Sequence, residues 1–167
     1  MIDYKEIEKA HQKISQLVIK TPLIKNSTIN SQTDSNIYFK LENLQKTGSF
    51  KIRGAANKIG KLSDKERSKG IISYSSGNHA QAVAYVASFY KIKSTIVMPE
   101  NAPLIKINNT KKYGAKVVFY NPKKEKRENI AEIIANKENK IIIKPYDDLD
   151  IITGQGTTGK EIVDDLK

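Results

Sequence analysis

The residues best placed for chemistry lie in Gly48-Ser49-Phe50-Lys51-Ile52-Arg53-Gly54-Ala55, where a polar turn gives way to a helical pattern. Ser49 is a natural N-cap, because its hydroxyl can accept from the free N–H groups of a first helical turn. Lys51 then falls within that turn, where the positive end of the helix dipole opposes an ammonium. Phe50 and Ile52 are expected to wall it with apolar surface, and burial favours the neutral amine. A neutral amine is what Schiff-base chemistry with a carbonyl requires. The same pattern also fits a surface lysine at a helix start, one of 29 Lys and Arg residues in the chain.

A second constellation is Ser75-Ser76-Gly77-Asn78-His79, which follows a short apolar run and opens a helix. Backbone N–H groups at such a terminus bind anions without a charged side chain, and a glycine lets the backbone approach a ligand closely. A substrate carboxylate would suit it; an ordinary N-cap, with His79 structural, fits the pattern too. Gly154-Gln155-Gly156-Thr157-Thr158-Gly159 matches a dinucleotide fingerprint letter by letter. That fingerprint needs a strand directly before it and an acidic residue about twenty positions on. Neither is found, so the dinucleotide reading is set aside. Glu42, Asp147 and Asp148 are too separated for an acid–base or metal set, and solvated or helix-capping roles are expected for each. Two histidines and no nucleophile elbow leave no Ser/His/Asp triad. With no cysteine there is neither a disulfide framework nor a thiolate metal site.

Three segments carry a resemblance to a known family. Ser49 to Ala55, preceded by Glu42-Asn43-Leu44-Gln45, is similar to the cofactor-lysine segment of fold-type II pyridoxal-phosphate enzymes, in the threonine dehydratase (threonine ammonia-lyase) and serine racemase branch. Ser75 to Ala82 resembles that family's loop for the substrate carboxylate and cofactor ring. Pro145-Tyr146-Asp147-Asp148, followed by Gly154-Gln155-Gly156-Thr157, resembles a third segment. The three stand in the family's order and cover nearly the whole chain.

The resemblance implies a three-layer α/β sandwich with parallel sheet, as in the tryptophan synthase β chain, here truncated at its C-terminal side. It implies that Lys51 carries pyridoxal 5'-phosphate and removes the substrate's Cα proton, with Phe50 near the ring and Asn78 bonded to the ring oxygen. Ser75, Ser76, Gly77, Asn78 and His79 would hold the substrate carboxylate. Ser76 would face Lys51 from the opposite side, where racemases of the family keep a second proton carrier. The implied activity is β-elimination on a small hydroxy-amino acid, threonine first; serine racemase, serine dehydratase and a non-catalytic remnant are the alternatives. The family's phosphate loop, and the Ser or Thr facing its pyridine nitrogen, come downstream of the third segment. Such a piece is expected to expose apolar surface and self-associate, and the full-length form to be a homo-oligomer.

The elements that must position these residues follow from periodicity. Apolar residues at Ile7, Ala10, Ile14 and Leu17 predict a helix over 4–17. Ile37 to Leu41 predicts a strand ahead of the lysine helix, itself expected over 49–62. Strands at 71–74, 94–98, 116–120 and 140–144 alternate with helices at 77–90, 103–112 and 125–136, and a last helix is expected from Gly156. That alternation argues for parallel sheet. The family mapping expects a small domain over 71–149 inserted between the large-domain pieces 1–70 and 150–167.

Composition bounds the rest. The chain has 167 residues, 38% of them hydrophobic, and a mean hydropathy of -0.52, which suits a soluble protein. No apolar run resembles a signal peptide or membrane span, so the cytoplasm is the expected location. The net charge of +11 raises nucleic-acid binding, but the lysines are scattered. The densest cluster, Lys123 to Glu128, is broken by glutamates and has no interleaved aromatics, so nucleic acid is not an expected partner.

Overall fold

The computed structural model describes residues 2–166. Helix α1 (Tyr4–Ile14) opens on a capping box between Asp3 and Glu6. It buries Ala10 and Ile14, and a turn carries the chain on to buried Leu17. Strands β1 (Leu23–Lys25) and β2 (Tyr38–Lys40) pair antiparallel. Between them lies α2 (Ser27–Thr33), capped by Asn26. Neither α2 nor the later α4 (Asp64–Ser68), capped by Ser63, is foreshadowed by periodicity. Each is short and polar, buries no residue, and is held by its cap, so no apolar stripe announces it.

The helix carrying Lys51 is α3 (Lys51–Gly60), and its apolar face sinks Ile52, Ala55, Ala56 and Ile59 into the main core. Four strands follow where the sequence predicts them: β3 (Ile71–Tyr74), β4 (Ser94–Pro99), β5 (Lys116–Tyr120) and β6 (Ile141–Ile143). They form one parallel sheet in the order β5-β4-β3-β6. The helices between them are α5 (Asn78–Phe89), α6 (Leu104–Lys112) and α7 (Arg127–Glu138).

Side chains alternate across the central strands, and this builds three layers. Ile71, Ile96, Met98 and Ile143 pack with α5 and α3 on one face. Ile72, Tyr74, Val97 and Tyr120 pack with Ala131 and Ala135 of α7 on the other. β3 is buried at all four positions, as a strand covered on both faces must be.

The last helix, α8 (Leu149–Asp165), begins at Leu149 and not at Gly156. Asp148 sets the start, its carboxylate accepting from the N–H groups of Asp150 and Ile151 at 2.9 and 3.2 Å. The glycines expected at its opening therefore lie inside the helix, where Gly154 lets α8 press on α3 and Gly156 lets it meet Ile7 of α1. A Cβ on Gly154 would stand 2.6 Å from the Arg53 carbonyl and 2.7 Å from Gly54 Cα. The outward stripe of α8 is apolar or small: Leu149, Ile152, Val163 and Leu166 are all exposed, Leu149 at 67%. Among the described residues, no helix is long and apolar enough to cross a membrane.

Candidate active site

Lys51 reaches its place through a constrained turn. β2 runs into a single 3-10 turn at Glu42–Leu44, and the Gln45 side chain bonds both the N–H and the carbonyl of Ile19. Gly48 then adopts φ 72°, a left-handed conformation that costs glycine little, and its N–H donates to the Gln45 carbonyl at 2.8 Å. Helical backbone starts at Phe50, so the N-cap is Phe50, without a side-chain cap, and not Ser49. The expected Ser49 cap is thus not formed. Its hydroxyl is buried and has no partner, and neither has the Thr47 hydroxyl across Gly48.

Lys51 is the first residue of α3, as expected, and is half-buried. Its Nζ donates to the Pro145 carbonyl at 3.1 Å and lies 5.4 Å from the centre of the Phe50 ring. Phe50 therefore flanks the amine as expected. Ile52 does not, because it points into the core. The bond to Pro145 joins the first and third sequence segments, and a bond of the Gly54 N–H to Gln155 Oε1 at 3.2 Å joins them again.

The second segment comes to α3 on α5, which packs against it. Gly77 caps α5, and its N–H donates to Ser75 Oγ at 3.2 Å. The space where a Gly77 Cβ would stand is open. The first N–H groups of α5 have no carbonyl ahead of them to bond within the helix, which leaves them for an anion. Ser76 and Asn78 are exposed and Ser75 half-buried, while His79 is 2% exposed. Burial pushes the His79 imidazole down to about 4, and the charge of nearby Lys51 pushes the same way. His79 is thus a neutral ring beneath the loop: the Ile143 backbone nearby favours its charged form but is outweighed, and neither ring nitrogen has a partner in good hydrogen-bond geometry.

Behind the lysine the opposite condition holds. Arg53 is fully buried, and its guanidinium is forked between two carboxylates. It donates to Glu42 at 2.7 and 2.9 Å and to Glu161 at 2.7 and 2.8 Å. Lys40 adds a 2.8 Å ion pair to Glu161, and His11 Nε2 lies 3.2 Å from that same carboxylate. Thr21 donates to Glu42 at 2.6 Å, and Thr157 accepts from Arg53 at 3.3 Å. Burial works against the Glu161 carboxylate, but the bonds from Arg53 and Lys40 outweigh it and hold the group below its ordinary range. One expectation is corrected here. Glu42 is neither solvated nor a helix cap; His11, on the other side of the cluster, is half-buried against Glu161. The acidic trio does not converge: Glu42 faces Arg53, Asp148 caps α8 and pairs with Lys58, and Asp147 is exposed.

Buried polar atoms without partners are rare in folded proteins, and each asks for an explanation. Among the described residues, five of the nine such atoms (Thr47 Oγ1, Ser49 Oγ, both nitrogens of His79 and Gln81 Nε2) belong to the turn before Lys51 or the start of α5, and the other four are on Asn57, Arg67, Gln155 and Thr158. Hydroxyls, an imidazole and a carboxamide around a primary amine and a helix N-terminus form a donor set suited to a planar cofactor rich in oxygen. Pyridoxal phosphate would fit that donor set, with the Lys51 amine and the Phe50 ring as the groups available to hold it.

That chemistry agrees with known proteins. Over residues 14–167 the chain matches the pyridoxal-phosphate dependent enzymes, and it belongs to that family. It is 45% identical over 163 residues to an L-threo-3-hydroxyaspartate ammonia-lyase of Saccharomyces cerevisiae, covering 98% of this chain and 50% of that protein. It is 48% identical over 162 residues to a catabolic L-threonine dehydratase of Staphylococcus aureus, covering 96% of this chain and 47% of the other. The crystal structure of a serine racemase from Dictyostelium discoideum superposes with a TM-score of 0.89 at 43% identity, over 96% of this chain and 52% of that one. The chain spans about half the length of the relatives it matches. The relatives act on different amino acids, so family membership does not choose the substrate.

Proposed function

We propose that this chain carries the lysine half of a pyridoxal-phosphate enzyme that eliminates the β-hydroxyl of a small hydroxy-amino acid, converting threonine to 2-oxobutanoate and ammonia. The observation that carries this reading is the half-buried Lys51 amine at the start of α3, held on the Pro145 carbonyl at 3.1 Å beside helix α5. When bound, pyridoxal phosphate supplies an electron-withdrawing ring that stabilises negative charge at the substrate's Cα. Lys51 holds that group through its amine and, once freed, takes the Cα proton. The loop of Ser75, Ser76, Gly77, Asn78 and His79 holds the substrate carboxylate on its N–H groups, which orients the Cα–H bond. Phe50 packs near the cofactor ring, and Asn78 donates to the ring oxygen. Residues 71–149 act as the small domain, supported by the fact that all four parallel strands fall inside it.

A racemase reading is favoured by one feature, the exposed Ser76 at the loop tip, which suits a second proton carrier on serine. The test is borohydride reduction of the protein with pyridoxal phosphate, followed by peptide mapping and assays on threonine and serine. Label confined to the Lys51 peptide, with 2-oxo acid released from threonine, is the expected result. Inversion of serine without release of 2-oxo acid would favour the racemase. Label scattered over surface lysines would overturn both readings and leave a remnant that binds no cofactor.

A further inference from the structure

Helix α6 holds two donors against two carboxamides at the start of α5. Lys106 Nζ donates to Asn78 Oδ1 at 2.5 Å, and Asn109 Nδ2 donates to Gln81 Oε1 at 2.9 Å. Donors and acceptors are both spaced three residues apart, so one face of α6 meets one face of α5 in register. A carboxamide presents an acceptor on one side and two N–H donors on the other, and rotation exchanges them. An ammonium can only donate, so Lys106 fixes the Asn78 oxygen toward itself and turns the Asn78 N–H groups away from α6. Asn109 is itself a carboxamide and donates to Gln81 in the same sense without being confined to it. Gln81 is 3% exposed and its Nε2 has no partner.

We propose that Lys106 is a positioning residue of this site: it orients the Asn78 carboxamide so that its N–H groups, and not its oxygen, face an anionic oxygen of the bound cofactor. This rests on the reading of Asn78 given above. Without Lys106 the carboxamide is free to present either side, and the oxygen side repels a phenolate. Asn109 supports the same polarity one turn further along α5.

The test compares wild-type protein with Lys106→Met, which keeps the stem and loses the donor, and Lys106→Arg, which keeps a donor-only head. Lys106→Gln, too short to bridge in the same way, serves as a second variant should Met disturb the fold. Two readouts are taken: the dissociation constant and absorption spectrum of bound pyridoxal phosphate, and nitrogen-15 relaxation of the Asn78 side-chain amide in the cofactor-free protein. Lys106→Met is expected to weaken cofactor binding about tenfold, the size of one lost hydrogen bond to a charged group. It should also change the absorption band and mobilise the Asn78 amide, while Lys106→Arg restores all three. A Met variant with wild-type affinity and spectrum, or an Asn78 amide equally ordered without Lys106, would overturn the proposal. Borohydride labelling of wild type separates the two levels. Label at Lys51 with an indifferent Lys106 sinks the positioning role alone, and no label at Lys51 sinks the reading of the site and this role with it.

Discussion

Lys51 and Arg53 stand two residues apart on α3 and live in opposite circumstances. Arg53 is sealed behind the helix, with its donors met by Glu42, Glu161, Thr157 and the Ile19 carbonyl. Lys51 looks onto a region of unmet hydrogen bonds, with Ser49, Thr47 and His79 all lacking partners. The charge cluster behind the helix is complete without help and the turn in front of it is not, although Asn57, Gln155 and Thr158 along the α3–α8 contact each keep one unpartnered buried atom as well. A buried charge cluster that is fully paired fixes where α3 sits against α8, so its contribution is a fixed geometry. A front whose buried polar groups lack partners costs the fold stability, and that asymmetry supports the ligand side proposed above.

The contrast predicts its largest effect at Glu161. Glu161→Leu takes one of two carboxylates from Arg53 and the nearer of two from Lys40, in a place where both cations are nearly inaccessible, and leaves them only Glu42 and Asp165. Breaking a buried pair from one side costs about 3–5 kcal/mol. Lys51→Leu removes one hydrogen bond at a half-buried amine and should cost about 1 kcal/mol or less, while abolishing cofactor trapping. Urea midpoints of the two variants decide it. Equal losses would mean that the back of the helix is no more structural than the front.

How much of this the sequence shows depends on the range of the cause. Lys51, the 75–79 loop and the four parallel strands are local patterns, and they stand where the residues predict them. The start of α8 is not legible in the sequence, because glycines inside a helix read as breakers, and only the neighbouring backbone of Arg53 and Gly54 shows why Gly154 is needed. The ion cluster was missed altogether. Its members, His11, Lys40, Glu42, Arg53 and Glu161, are spread across the chain, and nothing in the spacing of charged residues says which of them will be buried. The available signal is a charge within a helical stretch of small and apolar residues: Arg53 is the one charged residue among the buried positions of α3, beside Ile52, Ala55, Ala56 and Asn57.

Acid sharpens the same contrast, because the two sides titrate in different ranges. His79 is neutral when folded, its value pushed down to about 4 by burial and by Lys51. The unfolded chain takes up that proton near the ordinary histidine value of about 6.5. Between those limits the unfolded state binds more protons, so stability falls as pH drops from about 6.5 toward 4, by on the order of 3 kcal/mol. Glu161 acts lower, since its folded value is depressed: its contribution is present above the unfolded carboxylate value and is lost as pH falls through the folded one. Denaturant melts across this range should show a first loss that His79→Gln flattens and a later loss that it leaves alone. An unchanged slope above pH 5 in His79→Gln would show that the ring is already partnered or accessible.

The smallest effect tests the idea most directly, since it compares two buried hydroxyls. Thr157 accepts from Arg53 at 3.3 Å and donates to the Gly154 carbonyl at 2.8 Å. Thr157→Val keeps the shape and removes both bonds, for a loss of about 1 kcal/mol or somewhat more. Ser49 is also buried, in the turn ahead of α3, but its hydroxyl has no partner to lose. Removing an unpartnered buried hydroxyl relieves a desolvation cost, so Ser49→Ala should leave stability within about 0.5 kcal/mol of wild type or raise it slightly. The cofactor then reverses the order. A hydroxyl kept for a ligand should reveal its value only when pyridoxal phosphate is added, and Ser49→Ala should lose part of the stabilisation that cofactor gives wild type, whereas Thr157→Val should keep it. If Ser49→Ala costs as much as Thr157→Val in the free protein, the front hydroxyl has a partner in the fold, and the division between a finished back and an unfinished front does not hold.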